Sequence, residues 1–347
     1  MLRILDANLN RLGEGLRLLE DISRFTLNDA DLSEQLKTLR HDLLPREQQL
    51  HEKLLSARRS EEDVGASLEL ASEGERPDVA SLVRANSRRV QQSLRVIEEI
   101  TKIPGQDFGF NWENMKRARF TVYELEQRIF LRLSRYDKTE RISGLYLILD
   151  TGALGDQSEV EVARQATQGG ASTIQLRDKM RPKAELVSLA QDLREVCAES
   201  GALFIVNDYL DIALASDADG LHLGQEDLPL PVARGLLPAD KIVGISTATV
   251  EEALQAQEQG ADYIAVGSIY PSPSKSHTRP AGLDTLRQVK NRVSIPVVAI
   301  GGINDNNVIE VMEAGADAVA VISAVLGAGD VKEACQRLVA KIGGTNK

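Results

Sequence analysis

Three observations in the sequence predict an α/β protein in which a (β/α)8 TIM barrel follows an all-helical, bundle-like N-terminal domain. Eight short apolar runs recur between residues 144 and 323, and a helix-length polar segment separates each from the next. A buried strand alternating with a helix eight times over is what a closed parallel barrel requires. Residues 1 to about 135 behave differently: they hold few prolines and no convincing strand, and their apolar residues recur at three- and four-residue spacing. A chain of 347 residues has room for both parts, since a barrel takes roughly 200 to 250.

The helical part comes first. Leu9, Leu12, Leu16, Leu19 and Ile22 form one apolar stripe, and Val90, Leu94, Ile97 and Ile100 form another. The two segments resemble each other: Ala7, Asn8, Arg11, Leu16, Arg17, Glu20 and Ile22 match Ala85, Asn86, Arg89, Leu94, Arg95, Glu98 and Ile100, as an internal duplication would. A second helical stretch follows each copy, carrying Lys37 with Arg40 or Lys116 with Arg119, so two helical hairpins in an antiparallel bundle are expected. Arg17 with Glu20 and Arg95 with Glu98 would meet across a helical turn as solvated pairs worth a few tenths of a kcal/mol. A sharper alternative is an anion-binding face shared by the hairpins, since the repeated Asn8, Arg11, Asn86 and Arg89 exceed what solubility requires. The connection over 56–78, with Arg58, Arg59, Asp63 and Gly65, has the length of a functional loop. From 137 to 143 the chain is polar and the stripe is lost, which puts the helical domain at 1–136 and the barrel at 141–347.

The barrel strands run, in order, through Gly-Leu-Tyr-Leu-Ile-Leu-Asp150, Ser-Thr-Ile-Gln-Leu-Arg177, Ala-Leu-Phe-Ile-Val-Asn207, Gly-Leu-His-Leu-Gly224, Lys-Ile-Val-Gly-Ile-Ser246, Tyr-Ile-Ala-Val-Gly-Ser268, Pro-Val-Val-Ala-Ile-Gly301 and Ala-Val-Ala-Val-Ile-Ser323. In such a barrel the reactive groups gather at the strand C-termini.

Composition narrows the function classes. Hydrophobic content of 42% is ordinary for a globular chain, and no apolar stretch approaches the length of a membrane span. The first residues show no basic region followed by an apolar core, so cytoplasmic residence is the expectation. A formal net charge of −11 disfavours nucleic acid as a partner, yet leaves room for a small anion held by local cations. Cys197 and Cys335, the 2 cysteines, lie far apart on helical-looking segments and read as buried or inert thiols.

At the strand ends, Gln175, Arg177 and Lys179 alternate, so their side chains are expected to share a face at the barrel mouth, where two cations suit an anion. Asn207 and Asp208 follow the third strand and Asp227 the fourth. Asp208 could cap the next helix and Asp227 could belong to a turn. Two carboxylates beside two cations instead suggest Mg2+ bridging to phosphate oxygens. His222 lies mid-strand among apolar neighbours and reads as a wall residue. Ser272, Ser274 and Lys275 follow the sixth strand as a hydroxyl-rich loop with a lysine, suited to an oxyanion. Gly301 and Gly302 after the seventh strand, with Ile322 and Ser323 after the eighth, stand where barrels seat a phosphate. Asp150, at the first strand end, has no evident role.

Gln-Leu-Arg-Asp-Lys (175–179), Asn-Asp (207–208), Ala-Asp-Gly-Leu-His-Leu-Gly-Gln-Glu-Asp-Leu-Pro (218–229), Gly-Ile-Ser (244–246), Pro-Ser-Pro-Ser-Lys (271–275), Val-Ala-Ile-Gly-Gly-Ile (298–303) and Val-Ile-Ser-Ala (321–324) resemble, in order, the motifs of the thiamine-phosphate synthases. The resemblance covers about residues 141 to 345. It implies coupling of hydroxymethylpyrimidine diphosphate to a thiazole phosphate, or its carboxylated form, giving thiamine phosphate and diphosphate. By the same resemblance Gln175, Arg177, Lys179, Asn207 and Lys275 hold the pyrimidine diphosphate, with Arg177, Lys179 and Lys275 as the catalytic cations. The resemblance likewise implies that Asp208 and Asp227 bind Mg2+, that Ser246 touches the pyrimidine, and that Ser272, Ser274, Gly302, Ile322 and Ser323 form the thiazole phosphate site. The family often carries threonines where Ser272 and Ser274 stand, and the hydroxyl is kept.

The N-terminal half, with Asp-Ala-Asn-Leu-Asn-Arg (6–11) and its second copy, resembles a helical domain fused to this synthase in some bacteria and associated with hydroxymethylpyrimidine-phosphate kinase activity. No Walker-type glycine loop is present in residues 1–140, and a noncatalytic docking module is the alternative. For the barrel, a thiazole tautomerase is similar in fold but has no need of Arg177, Lys179, Asp208 and Asp227. A noncatalytic thiamine-phosphate binder is the rival of another class. The expected partners are small molecules, with neither nucleic acid nor membrane; a homo-oligomer is left open.

Overall fold

The structure, a computed structural model, describes residues 1–45, 48–58, 76–104, 108–271 and 281–344. They form two compact units, Met1–Ser134 and Arg135–Lys347.

The first unit is helical: α1 (Leu2–Asp21), α2 (Ala30–Leu43), α3 (Gln48–Ala57), α4 (Val79–Ile100) and α5 (Trp112–Glu140), which runs on past the unit boundary. Asp29 and Asp78 cap α2 and α4, their carboxylates accepting from the Leu32 and Ser81 amides at 3.0 and 2.6 Å. The stripes of α1 and α4 bury Leu12, Leu16, Val90, Leu94 and Ile97 against each other. A Cβ on Gly15 would come within 2.6 Å of Val90 Cγ2, so the absence of a side chain lets the two helices close.

The duplicated sequence folds into duplicated contacts, but not the solvated pairs expected of it. Glu20 and Glu98 are buried, and each is reached from the helix that follows, by Arg40 at 2.9 Å and Arg119 at 3.3 Å. Arg17 lies 3.8 Å from Glu20 and Arg95 2.7 Å from Glu98, so the pairs across the helical turn exist only as the outer parts of these clusters. The asparagines of the alternative anion-binding face turn inward. Asn8 and Asn86 are buried and donate to Ile4 O and Leu82 O of their own helices, whereas Arg11 and Arg89 point to solvent. Arg58 pairs with Asp6 at 2.8 Å, while Arg59, Asp63 and Gly65 lie outside the described residues.

The polar stretch at which the domain boundary is expected is in part helix, since α5 continues to Glu140. Beyond it, β1 (Gly144–Asp150), β2 (Thr173–Arg177), β3 (Leu203–Asn207), β4 (Gly220–Leu223), β5 (Ile242–Thr247), β6 (Tyr263–Gly267), β7 (Val297–Ile300) and β8 (Ala318–Val321) form a closed barrel in sequence order, every pair parallel. Helices α6 (Glu159–Gln168), α7 (Lys183–Ser200), α8 (Leu210–Ala215), α9 (Leu230–Leu236), α10 (Val250–Glu258), α11 (Gly282–Lys290), α12 (Val308–Glu313), α13 (Ser323–Leu326) and α14 (Val331–Gly343) make up the rest. Alternate strand residues divide between two cores. Tyr146, Ile148, Leu203, Ile205, Ile242, Tyr263, Ala265, Val298, Ala318 and Ala320 pack together with Ile142, and their neighbours pack in a larger core shared with the helices.

The strand N-termini are tied by a repeated device. Asp219, Asp262 and Asp317, each just before a strand, accept the amides of Phe204, Val243 and Val297 at 3.0, 2.7 and 2.8 Å. Each also meets cations: Asp219 faces Lys138 and Arg194, Asp262 faces Arg135 and Arg234, and Asp317 faces Lys290. Cys197 and Cys335 are free and buried, and burial pushes both thiols up to about 12. Among the described residues no helix is long and apolar enough to cross a membrane.

Candidate active site at the barrel mouth

The strand C-termini bring several of the sequence-predicted residues to one end of the barrel. Arg177 closes β2 in register with Asp150 of β1, and the two side chains form an ion pair. Asp150, left without a role by sequence reasoning, therefore holds the Arg177 guanidinium while its other oxygen accepts the Gly152 amide at 3.1 Å. Two adjacent strand ends of opposite charge were the available signal. Lys179 lies beyond the strand, in a turn that the buried Asp178 carboxylate fixes by accepting the Met180 and Arg181 amides at 2.8 and 2.9 Å. Its side chain is exposed. Gln175 sits deeper than expected: it is buried, and its amide nitrogen donates to the Tyr146 hydroxyl at 2.8 Å.

At the end of β3, Asp208 takes the left-handed conformation, with φ of 63°, and its amide donates to His222 O at 2.8 Å. Aspartate tolerates that region better than most residues, and such conformations cluster at functional sites. It does not cap the following helix, whose N-cap is Tyr209 without a side-chain bond. Asp227 does anchor a turn, since its Oδ2 accepts the Gly224 amide at 2.6 Å. It also meets Asp208. Burial first, and then the facing Asp227 carboxylate, push the Asp208 carboxyl up to about 6, while Lys179 and Arg177 pull the other way.

Ser246 on β5 bonds His222 Nε2 at 2.9 Å, and its carbonyl accepts from Gln225 at 2.6 Å. His222 is a buried wall residue, as expected, and its Nδ1 bonds the Tyr263 hydroxyl at 3.1 Å. Sequence reasoning missed Tyr146 and Tyr263 as polar members of the interior, because both stand inside apolar runs. Gly301 and Gly302 have φ of 102° and 68°. A Cβ on Gly302 would come within 2.7 Å of Tyr270 Cβ and 2.9 Å of Pro271 O, so this glycine lets the loops after β7 and β6 close on each other. Ile322 and Ser323 start the short α13 at the end of β8. Ser272, Ser274 and Lys275 lie outside the described residues.

A closed parallel barrel with a carboxylate pair and cations at its strand C-termini defines the class of (β/α)8-barrel enzymes. The thiamine monophosphate synthase family matches residues 145–325, and the ThiD2 family matches residues 3–128. A thiamine-phosphate synthase of Synechocystis sp. is 42% identical over 344 residues, which span 99% of this chain and 97% of that protein. Another, from Moorella thermoacetica, is 53% identical over 195 residues, 56% of this chain and 93% of that protein. Among solved structures, the thiamine phosphate pyrophosphorylase from Pyrococcus furiosus aligns with a TM-score of 0.56 at 43% identity, over 60% of this chain and 99% of that one. The chain belongs to the thiamine monophosphate synthase family.

Proposed function

We propose that the barrel mouth joins hydroxymethylpyrimidine diphosphate to a thiazole phosphate, releasing diphosphate and thiamine phosphate, with Mg2+ held by Asp208 and Asp227. The observation that carries this reading is the half-buried Asp208 facing Asp227, with Arg177 and Lys179 close enough to act on its charge. Two carboxylates forced together are a hard-oxygen donor set. Such a set suits Mg2+, which takes one or two carboxylates together with substrate phosphates. The bound ion would supply charge neutralisation to the diphosphate oxygens.

The remaining work falls to the chain itself. The bond between the pyrimidine methylene carbon and the diphosphate oxygen breaks with its electron pair going to oxygen, so negative charge grows where Arg177 and Lys179 stand. Asp150 keeps the Arg177 guanidinium oriented for that role. The aminopyrimidine disperses the positive charge left on the methylene, and the thiazole nitrogen donates its lone pair to form the new C–N bond. No protein nucleophile is needed. Asn207 and Gln175 complete the pyrimidine diphosphate side, and Ser246 meets the ring. Gly302, Ile322 and Ser323 serve the thiazole phosphate, and the family resemblance adds Ser272, Ser274 and Lys275.

The test is to mix the full chain with both substrates and Mg2+ and to follow diphosphate. Release that needs both substrates is the expected result. Conversion of a thiazole tautomer without diphosphate would point to a tautomerase, and tight product binding without turnover to a binding protein.

The N-terminal unit is read as the hydroxymethylpyrimidine-phosphate kinase that makes the preceding intermediate, supported by its match to the ThiD2 family. ATP-dependent formation of the pyrimidine diphosphate by the full chain would support this, and no turnover over a range of conditions would favour a docking role. The cytoplasm is the compartment assumed, in keeping with two free cysteines.

A further inference from the structure

Five side chains from five strands join inside the barrel in one line of hydrogen bonds. Gln175 Nε2 of β2 donates to the Tyr146 hydroxyl of β1 at 2.8 Å, which meets the Tyr263 hydroxyl of β6 at 3.0 Å. Tyr263 meets His222 Nδ1 of β4 at 3.1 Å, and His222 Nε2 meets Ser246 Oγ of β5 at 2.9 Å. We infer that this line has a single polarity, set by Gln175, which holds His222 as its Nε2–H tautomer and leaves the Ser246 hydroxyl proton to be given to a pyrimidine ring nitrogen.

The polarity follows from counting protons. An amide nitrogen can only donate, so the Tyr146 oxygen accepts from it, and the Tyr146 proton goes to the Tyr263 oxygen. The Tyr263 proton then has Nδ1 of His222 as its acceptor. A neutral imidazole that accepts at Nδ1 carries its proton on Nε2 and donates it to Ser246 Oγ. An imidazolium would donate at both nitrogens and leave the buried Tyr263 proton without an acceptor among the described residues, which is unfavourable away from water. Burial pushes both phenols above their usual range, so both keep the protons this count requires. Tyr146, Tyr263 and His222 are thus positioning residues, acting on substrate through Ser246. Donation to a ring nitrogen recognises the pyrimidine in the ground state. It offsets no charge on the departing diphosphate and, by drawing density from the ring, gives no help in carrying the positive charge on the methylene. Its loss should therefore appear in KM more than in kcat.

The inference rests on reading the mouth as the pyrimidine site, and the test separates the two. The chain has only 4 histidines. The 15N shifts of the His222 ring in the labelled full chain, assigned with a His222→Asn variant, report its tautomer with no substrate present. The Nε2–H pattern is expected in the parent. In Tyr263→Phe that pattern should be lost, and KM for the pyrimidine diphosphate should rise about five- to tenfold while kcat stays within about threefold. If Tyr263→Phe does not fold, the parent tautomer decides the inference, and in Tyr146→Phe the Nε2–H pattern should persist because Tyr263 still donates to Nδ1. An Nδ1–H pattern in the parent, or a Tyr263→Phe protein with both tautomer and KM unchanged, overturns the inference. If the tautomer is as expected but added pyrimidine diphosphate moves none of the His222 signals and no diphosphate is released, the substrate half falls together with the proposed function, and the polarity stands.

Discussion

Replacing Gly244 with alanine tests how tightly the barrel interior is built around Tyr263. A Cβ at position 244 would sit 2.0 Å from Tyr263 Cζ and 2.4 and 2.5 Å from Cε2 and Cε1. Carbon atoms in contact prefer about 3.5 to 4.0 Å, so the ring must move by roughly 1.5 Å. It has nowhere free to go, being fully buried with its hydroxyl held at 3.0 Å by Tyr146 and 3.1 Å by His222. A shift of that size takes both contacts beyond hydrogen-bonding range. Over-packing costs about 1 to 3 kcal/mol and each lost buried hydrogen bond about 1 kcal/mol, which together make about 3 to 5 kcal/mol. For a unit of this size that corresponds to a fall in Tm of roughly 6 to 20 °C. Calorimetry of the full chain measures it, with Gly235→Ala as the control. Gly235 lies within helix α9 with nothing near its would-be Cβ, and alanine there should leave Tm unchanged or slightly higher. Adding Tyr263→Leu to Gly244→Ala should recover part of the loss, because the ring is the obstacle. A Gly244→Ala protein melting within about 2 °C of the parent would refute this account of the interior.

Three other perturbations address the remaining features. Asp208→Asn keeps a residue that tolerates the left-handed backbone but removes a charge facing Asp227. Diphosphate release should fall by at least about 100-fold with Tm unchanged or raised, and near-normal release would sink the metal assignment. Asp262→Ala strips the Val243 amide of its acceptor and leaves Arg135 and Arg234 without their carboxylate, at the end of the barrel away from the mouth. Urea unfolding should show a loss of about 3 to 5 kcal/mol with KM values unchanged; a loss below about 1 kcal/mol would contradict the role given to this residue. In the helical unit, burial alone would raise the Glu98 carboxyl, but Lys102 and Arg95 outweigh it and hold it below its ordinary value of 4.5. Its contribution is then fully present above that value and fades as pH falls through the lower folded value, so the acid limb of the stability profile should be flatter in Glu98→Gln than in the parent. Superimposable acid limbs would exclude this role.

The barrel was legible because its strands are buried on both faces and so appear as mostly apolar runs that end within two residues of the strand end. Asp150, Arg177 and Asn207 close both the runs and the observed strands. Residues at those ends, such as Arg177 and Asp208, could therefore be placed at the mouth without coordinates. Glu20 and Glu98 were misread for a physical reason. The partner one helical turn away is visible in the sequence, whereas Arg40 and Arg119 reach the same carboxylates only after the next helix has packed.

The same limit explains Asp150 and the interior tyrosines. Asp150 gains its meaning from register with β2, which a list of strand ends does not contain. Tyr146 and Tyr263 belong to β1 and β6, which are not neighbours in the barrel, and their hydroxyls meet only once the sheet has closed. Inside an apolar run a tyrosine reads as bulk. Closure turns that bulk into a polar line from Gln175 to Ser246, so the barrel's own packing sets the chemistry of a residue at its mouth. The space for Tyr263 depends in turn on Gly244, two residues before Ser246 on the same strand. Gly-Ile-Ser at the end of β5 is therefore one device, with a glycine that admits the ring and a serine that uses it.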